Sequence, residues 1–279
     1  MRVKYSFSSR RTGNIENIKK QRKKFPDIVR NMIRVCDIVL EVLDARFLDK
    51  TRNLYLEEMI KRKSKKLIFV INKIDLVDRK KLHEELNEKN IYPYVLVSCK
   101  NRFGSRLLRD RIKIEAKRIV SRFNIRHVGV IGYPNTGKSS LINFLIGRTA
   151  SRTASEPGFT KSLKKIRLTS EIVLFDTPGV IPDSDYSSSV RDKLAQHAMV
   201  NARDYNKVRD PDFIIYKIMQ EYPNRIESFY GVESDGDPEI LLEKVGRKKF
   251  FIKKGNLVDI DRTARFILKD WQEGKITCY

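Results

Sequence analysis

Apolar residues in this chain recur in two alternating patterns. Asp37-Ile38-Val39-Leu40-Glu41-Val42-Leu43-Asp44, Lys66-Leu67-Ile68-Phe69-Val70-Ile71 and Tyr94-Val95-Leu96-Val97 are short, nearly continuous apolar runs. A parallel sheet buried on both faces has strands of this kind. Between them the apolar period lengthens. Ile28, Met32 and Val35 predict a helix from Pro26 to Val35, and further helices are predicted over about Asn53 to Lys61, Arg79 to Asn90 and Ser105 to Phe123. His127-Val128-Gly129-Val130-Ile131 is another strand and Ser140 to Leu145 starts another helix; Lys164 to Thr169 and Glu171 to Phe175 predict two last strands. Strands alternating with helices imply an α/β domain, a mostly parallel sheet with helices on both faces.

The pattern changes beyond Asp183. Asp183 to Ser189 is a polar loop and the remainder is helical. Asp237-Pro238 supplies an N-cap and a first-turn proline, with Gly246 expected at the stop. Asp259 can cap a last helix to about Gln272, with Gly274 beyond it. Ile260, Ala264, Ile267, Leu268 and Trp271 form its apolar stripe, and Arg262, Arg265 and Lys269 fall near one another elsewhere. The expected organisation is a basic segment 1–25, an α/β domain 26–200 and a small all-α domain 201–279.

Charge narrows the partners. The chain has 279 residues, with 58 Lys+Arg against 35 Asp+Glu, a formal net charge of +23. Residues 206–279 hold 14 basic and 13 acidic side chains, so residues 1–205 carry +22. Segments 1–25, 102–126 and 148–167 are nearly free of acids. One nucleotide site needs one or two cations, so this excess points to a polyanionic partner. No apolar run approaches the length of a membrane span, and no amphipathic helix accompanies the charge. Three widely spaced cysteines, Cys36, Cys99 and Cys278, fit a reducing compartment rather than a zinc site or disulfide framework. The first segment superficially resembles a transit peptide in its Arg, Ser and scarce acids, but its apolar residues are sparse. A monomer in the cytoplasm is expected.

The candidate chemistry sits at strand ends. Gly132-Tyr133-Pro134-Asn135-Thr136-Gly137-Lys138-Ser139 lies between a strand and a helix, the setting of a phosphate-binding loop. Gly132 and Gly137 are expected to let backbone N–H groups wrap the β-phosphate. Asn135, Thr136, Gly137, Lys138, Ser139 and Ser140 would line the phosphates; Lys138 would reach the β- and γ-phosphates and the Ser139 hydroxyl Mg²⁺. Asn72-Lys73-Ile74-Asp75 selects the base. The Asp75 carboxylate can accept from N1–H and the 2-amino group of guanine, donors adenine lacks. The Lys73 stem can lie over the base, Asn72 can tie the loop to the phosphate loop, and Ser98-Cys99-Lys100 can close the other side.

Asp176-Thr177-Pro178-Gly179 would hold the metal's outer shell through Asp176 and sense the γ-phosphate through the Gly179 N–H. Thr160 is the candidate for a second hydroxyl on Mg²⁺. His83, His127 and His197 need no special role. Nothing resembles a Ser-His-Asp set, a carboxylate pair or the acceptor site of a metabolic kinase.

These motifs resemble those of translation-factor GTPases, but their order does not: the guanine motifs precede the phosphate loop. Such a rotation is tolerated where a sheet's natural termini lie close together. The sequence resembles the circularly permuted GTPases of the YlqF/RbgA-like ribosome-assembly family. The resemblance extends to Asp44-Ala45-Arg46 with Arg52-Asn53, and to Asp259-Ile260-Asp261-Arg262-Thr263-Ala264-Arg265 through Asp270-Trp271.

It implies GTP/GDP and Mg²⁺ as ligands, with binding to the large ribosomal subunit or its precursor. It also implies a C-terminal domain contacting ribosomal RNA, for which Arg262, Arg265 and Lys269 are the expected cations. Asn135 matches a family asparagine that can help hold K⁺. Val180-Ile181 stands where many GTPases have a water-orienting Gln. The His-bearing segment of bacterial relatives has no counterpart at Lys23-Lys24-Phe25-Pro26. No catalytic residue is therefore assigned, and hydrolysis is expected to be slow unless K⁺ and the subunit stimulate it. The other reading is a GTP-gated RNA-binding regulator that does not act on the ribosome. A second permuted family, acting on the small subunit, has an OB-fold and a zinc site for which this chain lacks residues.

Overall fold

The computed structural model describes residues 27–120, 124–147, 164–177 and 190–278. Six strands form one sheet in the order β3-β2-β1-β4-β6-β5. They are β1 (Ile38–Asp44), β2 (Lys66–Asn72), β3 (Tyr94–Leu96), β4 (Arg126–Gly132), β5 (Lys164–Arg167) and β6 (Ile172–Asp176). All pairs are parallel except β5 with β6, at the edge. The apolar runs are therefore the strands, and every residue of the central β1 is buried.

Burial on both faces follows from the helices. On one face Ile38, Leu40 and Val42 of β1 pack with α5 (Ser105–Lys117) and α6 (Lys138–Ile146). On the other, Val39 packs with α1 (27–35) and α3 (Leu54–Arg62), and Leu43 with α2 (Leu48–Thr51) and α4 (Arg79–Glu88). Helix α5 ends at Lys117, short of the expected Phe123, and residues 121–123 lie outside the described residues. Glu41 is the one carboxyl in the middle of β1. Burial, with Glu57 nearby, pushes it up to about 8, and the Asn53 N–H donates to it at 2.8 Å. Burial thus favours its neutral form, the form compatible with apolar surroundings.

The chain continues into five helices: α7 (Val190–Met199), α8 (Pro211–Glu221), α9 (Arg225–Tyr230), α10 (Pro238–Lys248) and α11 (Ile260–Gln272). They share one apolar core around Trp271, which is fully buried and donates its indole N–H to the Met199 carbonyl at 3.0 Å. Phe47 and Tyr133, from loops at the carboxyl ends of β1 and β4, enter this core. So does α7, which precedes the expected division after residue 200.

The caps of α10 and α11 are as expected. Asp237 accepts from Glu239 and Ile240, and Asp259 accepts from the Arg262 N–H. Gly246 is different: α10 runs through it to Lys248. A Cβ there would lie 2.2 Å from Val258 Cγ1 and 2.8 Å from Thr263 Oγ1. The glycine is required by close packing against α11 and the loop before it, not by helix termination. Among the described residues, no helix is long and apolar enough to cross a membrane and no acidic, His or Cys cluster could hold a metal ion. The three cysteines are free.

Candidate nucleotide-binding site

Parallel strands deliver their carboxyl ends to one edge of the sheet, and there a cleft of about 1080 Å³ opens. Asn72, the last residue of β2, with Lys73 and Asp75 after it, meets Cys99 and Lys100, following β3, at one end. Asn135, Gly137, Lys138, Ser139 and Ser140 meet Asp176 of β6 at the other. The predicted base and phosphate elements are therefore brought together. Thr160 and Gly179 lie outside the described residues.

Asn72 fastens the two ends to each other. Its Nδ2 donates to the Thr136 carbonyl at 2.8 Å, and its Oδ1 accepts from the Cys99 N–H at 3.3 Å. Ser98 is buried behind the cleft; its hydroxyl donates to Asp75 at 2.6 Å and accepts from the Asn101 N–H at 3.0 Å. The carboxylate is thereby aimed before any base arrives. Lys73, in the left-handed region at φ 65°, donates to Asp44 at 2.7 Å.

The phosphate loop has the backbone its glycines permit, with φ of 149° at Gly132 and 98° at Gly137. What a Cβ would strike is protein: the Val42 carbonyl oxygen at 2.5 Å from position 132, and Asn72 Nδ2 at 2.3 Å from position 137. The neighbouring strand and the guanine-motif asparagine thus require glycine at these two positions, independently of any phosphate they would wrap. Lys138 is buried and donates to the Gly132 and Tyr133 carbonyls at 3.0 and 2.7 Å. Burial lowers its pKa to about 8, opposed by Asp176. Thr136 is turned inward, donating to the Tyr133 carbonyl at 3.0 Å. Ser139 and Asp176, both hard oxygen donors, face the same cleft, as a Mg²⁺ site requires.

The helical region forms the remaining wall, through Asn201, Asp204, Tyr205, Lys269 and Glu273 among others. It is anchored at both ends of the cleft. At the phosphate end, Asn135 Nδ2 donates to the Asn201 carbonyl at 2.6 Å, and the Tyr133 ring meets His197 edge-on at 5.8 Å. At the base end, Arg46 Nε and Nη2 grip Asp44 at 3.1 and 2.9 Å, while Nη1 donates to the Trp271 carbonyl at 3.1 Å. The guanidinium also lies over Phe47. Burial would raise the Asp44 pKa, but Lys73 and Arg46 outweigh it and hold the carboxyl at about 2.

No chemical task for Asp44 and Arg46 was readable in the sequence beyond their place in the family resemblance. The available signal was a charged pair at the carboxyl end of a nearly continuous apolar strand, where the two charges must be buried together or not at all. The three cations expected on α11 have separate surroundings. Lys269 lines the nucleotide cleft and Arg262 is exposed beside Phe251. Arg265 is spent within the fold: it pairs with Asp261 and donates to the Tyr205 and Val208 carbonyls at 2.9 and 3.1 Å.

Comparison with known proteins agrees with this geometry. Residues 127–242 match the family model described as 50S ribosome-binding GTPase. A GTP-binding protein of Methanocaldococcus jannaschii is 40% identical over 266 residues, 92% of this chain and 68% of that protein. The GTPase Grn1 of Schizosaccharomyces pombe is 31% identical, with 91% of this chain and 61% of that protein aligned. For the nuclear GTP-binding protein Nug1 of Saccharomyces cerevisiae the values are 29%, 93% and 56%. The chain thus spans little more than half the length of these two fungal relatives. The fold is that of YlqF from Thermotoga maritima: its GNP-bound structure superposes with a TM-score of 0.66 at 22% identity, covering 91% of this chain and 96% of that one. In chain order the guanine motif of β2 precedes the phosphate loop of β4, with both at one sheet edge, and the chain belongs to the circularly permuted GTP-binding proteins of the YlqF, Nug1 and Grn1 family.

Proposed function

We propose that this protein is a GTP-binding and GTP-hydrolysing switch that binds ribosomal RNA of the large subunit and acts in assembly of that subunit. The observation that carries the nucleotide reading is Asn72, which ties the phosphate loop to Cys99, next to the Ser98 hydroxyl that aims the Asp75 carboxylate. Asp75 would accept the two N–H groups of guanine's edge while the Lys73 stem covers the base, and Cys99 and Lys100 would close the pocket. Lys138 would exchange its two carbonyl partners for the β- and γ-phosphates, and Gly179 would report the γ-phosphate. Ser139, Thr160 and Asp176 would hold Mg²⁺, which neutralises charge on the phosphates. Asn135, its amide nitrogen committed to Asn201, has its carbonyl oxygen left to help hold K⁺. Hydrolysis is slow until K⁺ and the ribosomal subunit stimulate it.

The family description supports the ribosomal reading, as does the charge of +23. The division into a nucleotide domain, residues 26–200, and an RNA-contacting domain, residues 201–279, belongs to the same proposal. Sedimentation with ribosomal subunits under GDP and a non-hydrolysable GTP analogue tests it. The expected result is analogue-dependent travel with the large subunit. Equal distribution under both nucleotides, or no association at modest salt, refutes the ribosomal switch and leaves an RNA-binding regulator acting elsewhere.

A further inference from the structure

The helical region is nearly balanced in charge, yet its basic residues are not spread evenly. Residues 244–258 hold six of the 14 cations of residues 206–279 and none of the 13 acids. This stretch covers the end of α10 and a tight hairpin. Lys253 N–H donates to the Leu257 carbonyl at 2.7 Å, Asp259 N–H donates to the Phe251 carbonyl at 2.8 Å, and Ile252 bridges Val258.

At its start stands Phe250. The Phe250 and Phe251 N–H groups donate to the Arg247 and Gly246 carbonyls at 3.1 and 2.9 Å, closing α10 with the paired bonds of a Schellman cap. Phe250 occupies the left-handed position of that cap, at φ 58°. Helix ends ordinarily give this position to glycine, and a bulky aromatic there is an outlier. Packing does not account for it, because the side chain is 86% exposed. Leu257, 68% exposed, projects from the same hairpin.

The cations of this stretch and of the start of α11 are in different states of commitment. Lys248 donates to the Tyr230 carbonyl and Lys253 pairs with Asp259, while Lys249 and Arg262 lie over aromatic rings. Lys254 is exposed at the turn.

We propose that the 247–257 hairpin is a contact for unpaired RNA bases, with Phe250 as the stacking platform and Lys249, Lys254 and Arg262 meeting the flanking phosphates. A base offers a flat π-face to a solvent-exposed ring, and its backbone places an anion on either side. A lipid surface is the less favoured occupant, because two apolar side chains and no amphipathic helix supply little insertion. This assignment rests on the RNA reading above and names the surface that serves it. It retains Arg262 among the expected RNA contacts and moves the centre of contact from α11 to the hairpin.

The unusual backbone provides a clean test, since Phe250→Gly removes the ring while giving the cap its preferred residue. The full chain is titrated with fluorescent oligouridine of roughly ten nucleotides and with an RNA duplex, each over a salt series. Phe250→Gly is expected to unfold in urea at a midpoint no lower than wild type, yet to bind the single strand about tenfold more weakly, with duplex binding little changed. Phe250→Trp should retain single-strand affinity, and Lys254→Ala should lower the salt slope by about one phosphate contact. Undiminished single-strand binding by Phe250→Gly overturns the hairpin assignment alone; equal loss on single strand and duplex overturns base stacking. A loss confined to phosphatidylserine vesicles assigns the surface to lipid. Wild-type protein that binds neither RNA overturns the RNA reading itself.

Discussion

Asp44→Asn is the sharpest probe of how the nucleotide cleft is joined to the helical region. The Asp44 carboxylate is buried and accepts from Arg46 through Nε, Nη2 and the backbone N–H, and from Lys73 Nζ. An amide keeps the shape and loses the charge. Holding the carboxyl at about 2 rather than its ordinary 3.8 is equivalent to about 2 kcal/mol in favour of the ionised fold at neutral pH. The variant also leaves the guanidinium buried without its counterion, which for a buried pair costs about 3–5 kcal/mol. Lys73, partly exposed, can turn to water, so the lower figure applies. A loss of about 3 kcal/mol corresponds to a fall in Tm of roughly 6–12 °C for a chain of this size.

Because the folded pKa is depressed, the stabilisation is present above pH 3.8 and is lost as pH falls through about 2. The gap between wild type and variant should therefore narrow over that window in urea titrations. Arg46→Met completes a cycle. If Asp44 and Arg46 act as one unit, the double variant is less destabilised than the two single variants added together, by about 1 kcal/mol or more. Additivity within about 0.5 kcal/mol, or an Asp44→Asn variant as stable as wild type, would refute this account of the junction.

Three further outcomes follow from single groups. Asp75→Asn should weaken GTP binding about 100-fold or more in a calorimetric titration, and xanthosine triphosphate should bind the variant better than GTP does, since an amide donor then meets a carbonyl at C2. Lys138, lowered to about 8 by burial, should make GTP affinity fall as pH rises from 7 to 9. Without nucleotide, stability should instead rise between pH 8 and the ordinary lysine value of 10.5, where only the unfolded chain holds the proton; a flat affinity profile sinks the assignment. Gly246→Ala gains about 1 kcal/mol of helix propensity but must displace Val258 and Thr263, at a cost of about 1–3 kcal/mol. Urea unfolding should show net destabilisation, and a more stable variant would mean that the packing yields.

What the sequence made legible was what short-range pattern controls. Apolar runs in β1, β2 and β4 could belong only to a sheet buried on both faces, and the tetrads after them could only gather at its carboxyl edge. Asp237 and Asp259 were readable because a cap acts within three residues. Long-range packing was not readable. Gly246 looks like a helix stop, and only Val258 and Thr263, brought from beyond the hairpin, reveal it as a packing glycine. The real stop, Phe250, carries a residue that helix-end preferences count against. Likewise Arg265 and Lys269 sit one turn apart on α11, yet one is consumed by carbonyls of residues 205 and 208 and the other faces the nucleotide cleft.

The permuted order explains where the helical region can grip. β6, beside β4 in the sheet, is the last strand, so α7 is the next described element, and it and the turn after it lie against the phosphate loop through Tyr133–His197 and Asn135–Asn201. The chain ends its helical excursion at α11, whose last turn reaches the other end of the cleft. There Trp271 holds Arg46, and a Cβ on Gly274 would come within 2.6 Å of Leu76, the residue after Asp75. One close-packed core, with Trp271 at its centre, therefore touches both the phosphate end and the base end of the site. Such a core deforms little, so a displacement of either loop must be carried into the helices or break a buried contact. A displacement of either loop by a nucleotide would then reach the helices without a separate relay, because Tyr133 and Phe47 are core residues of the helices while belonging to loops of the sheet.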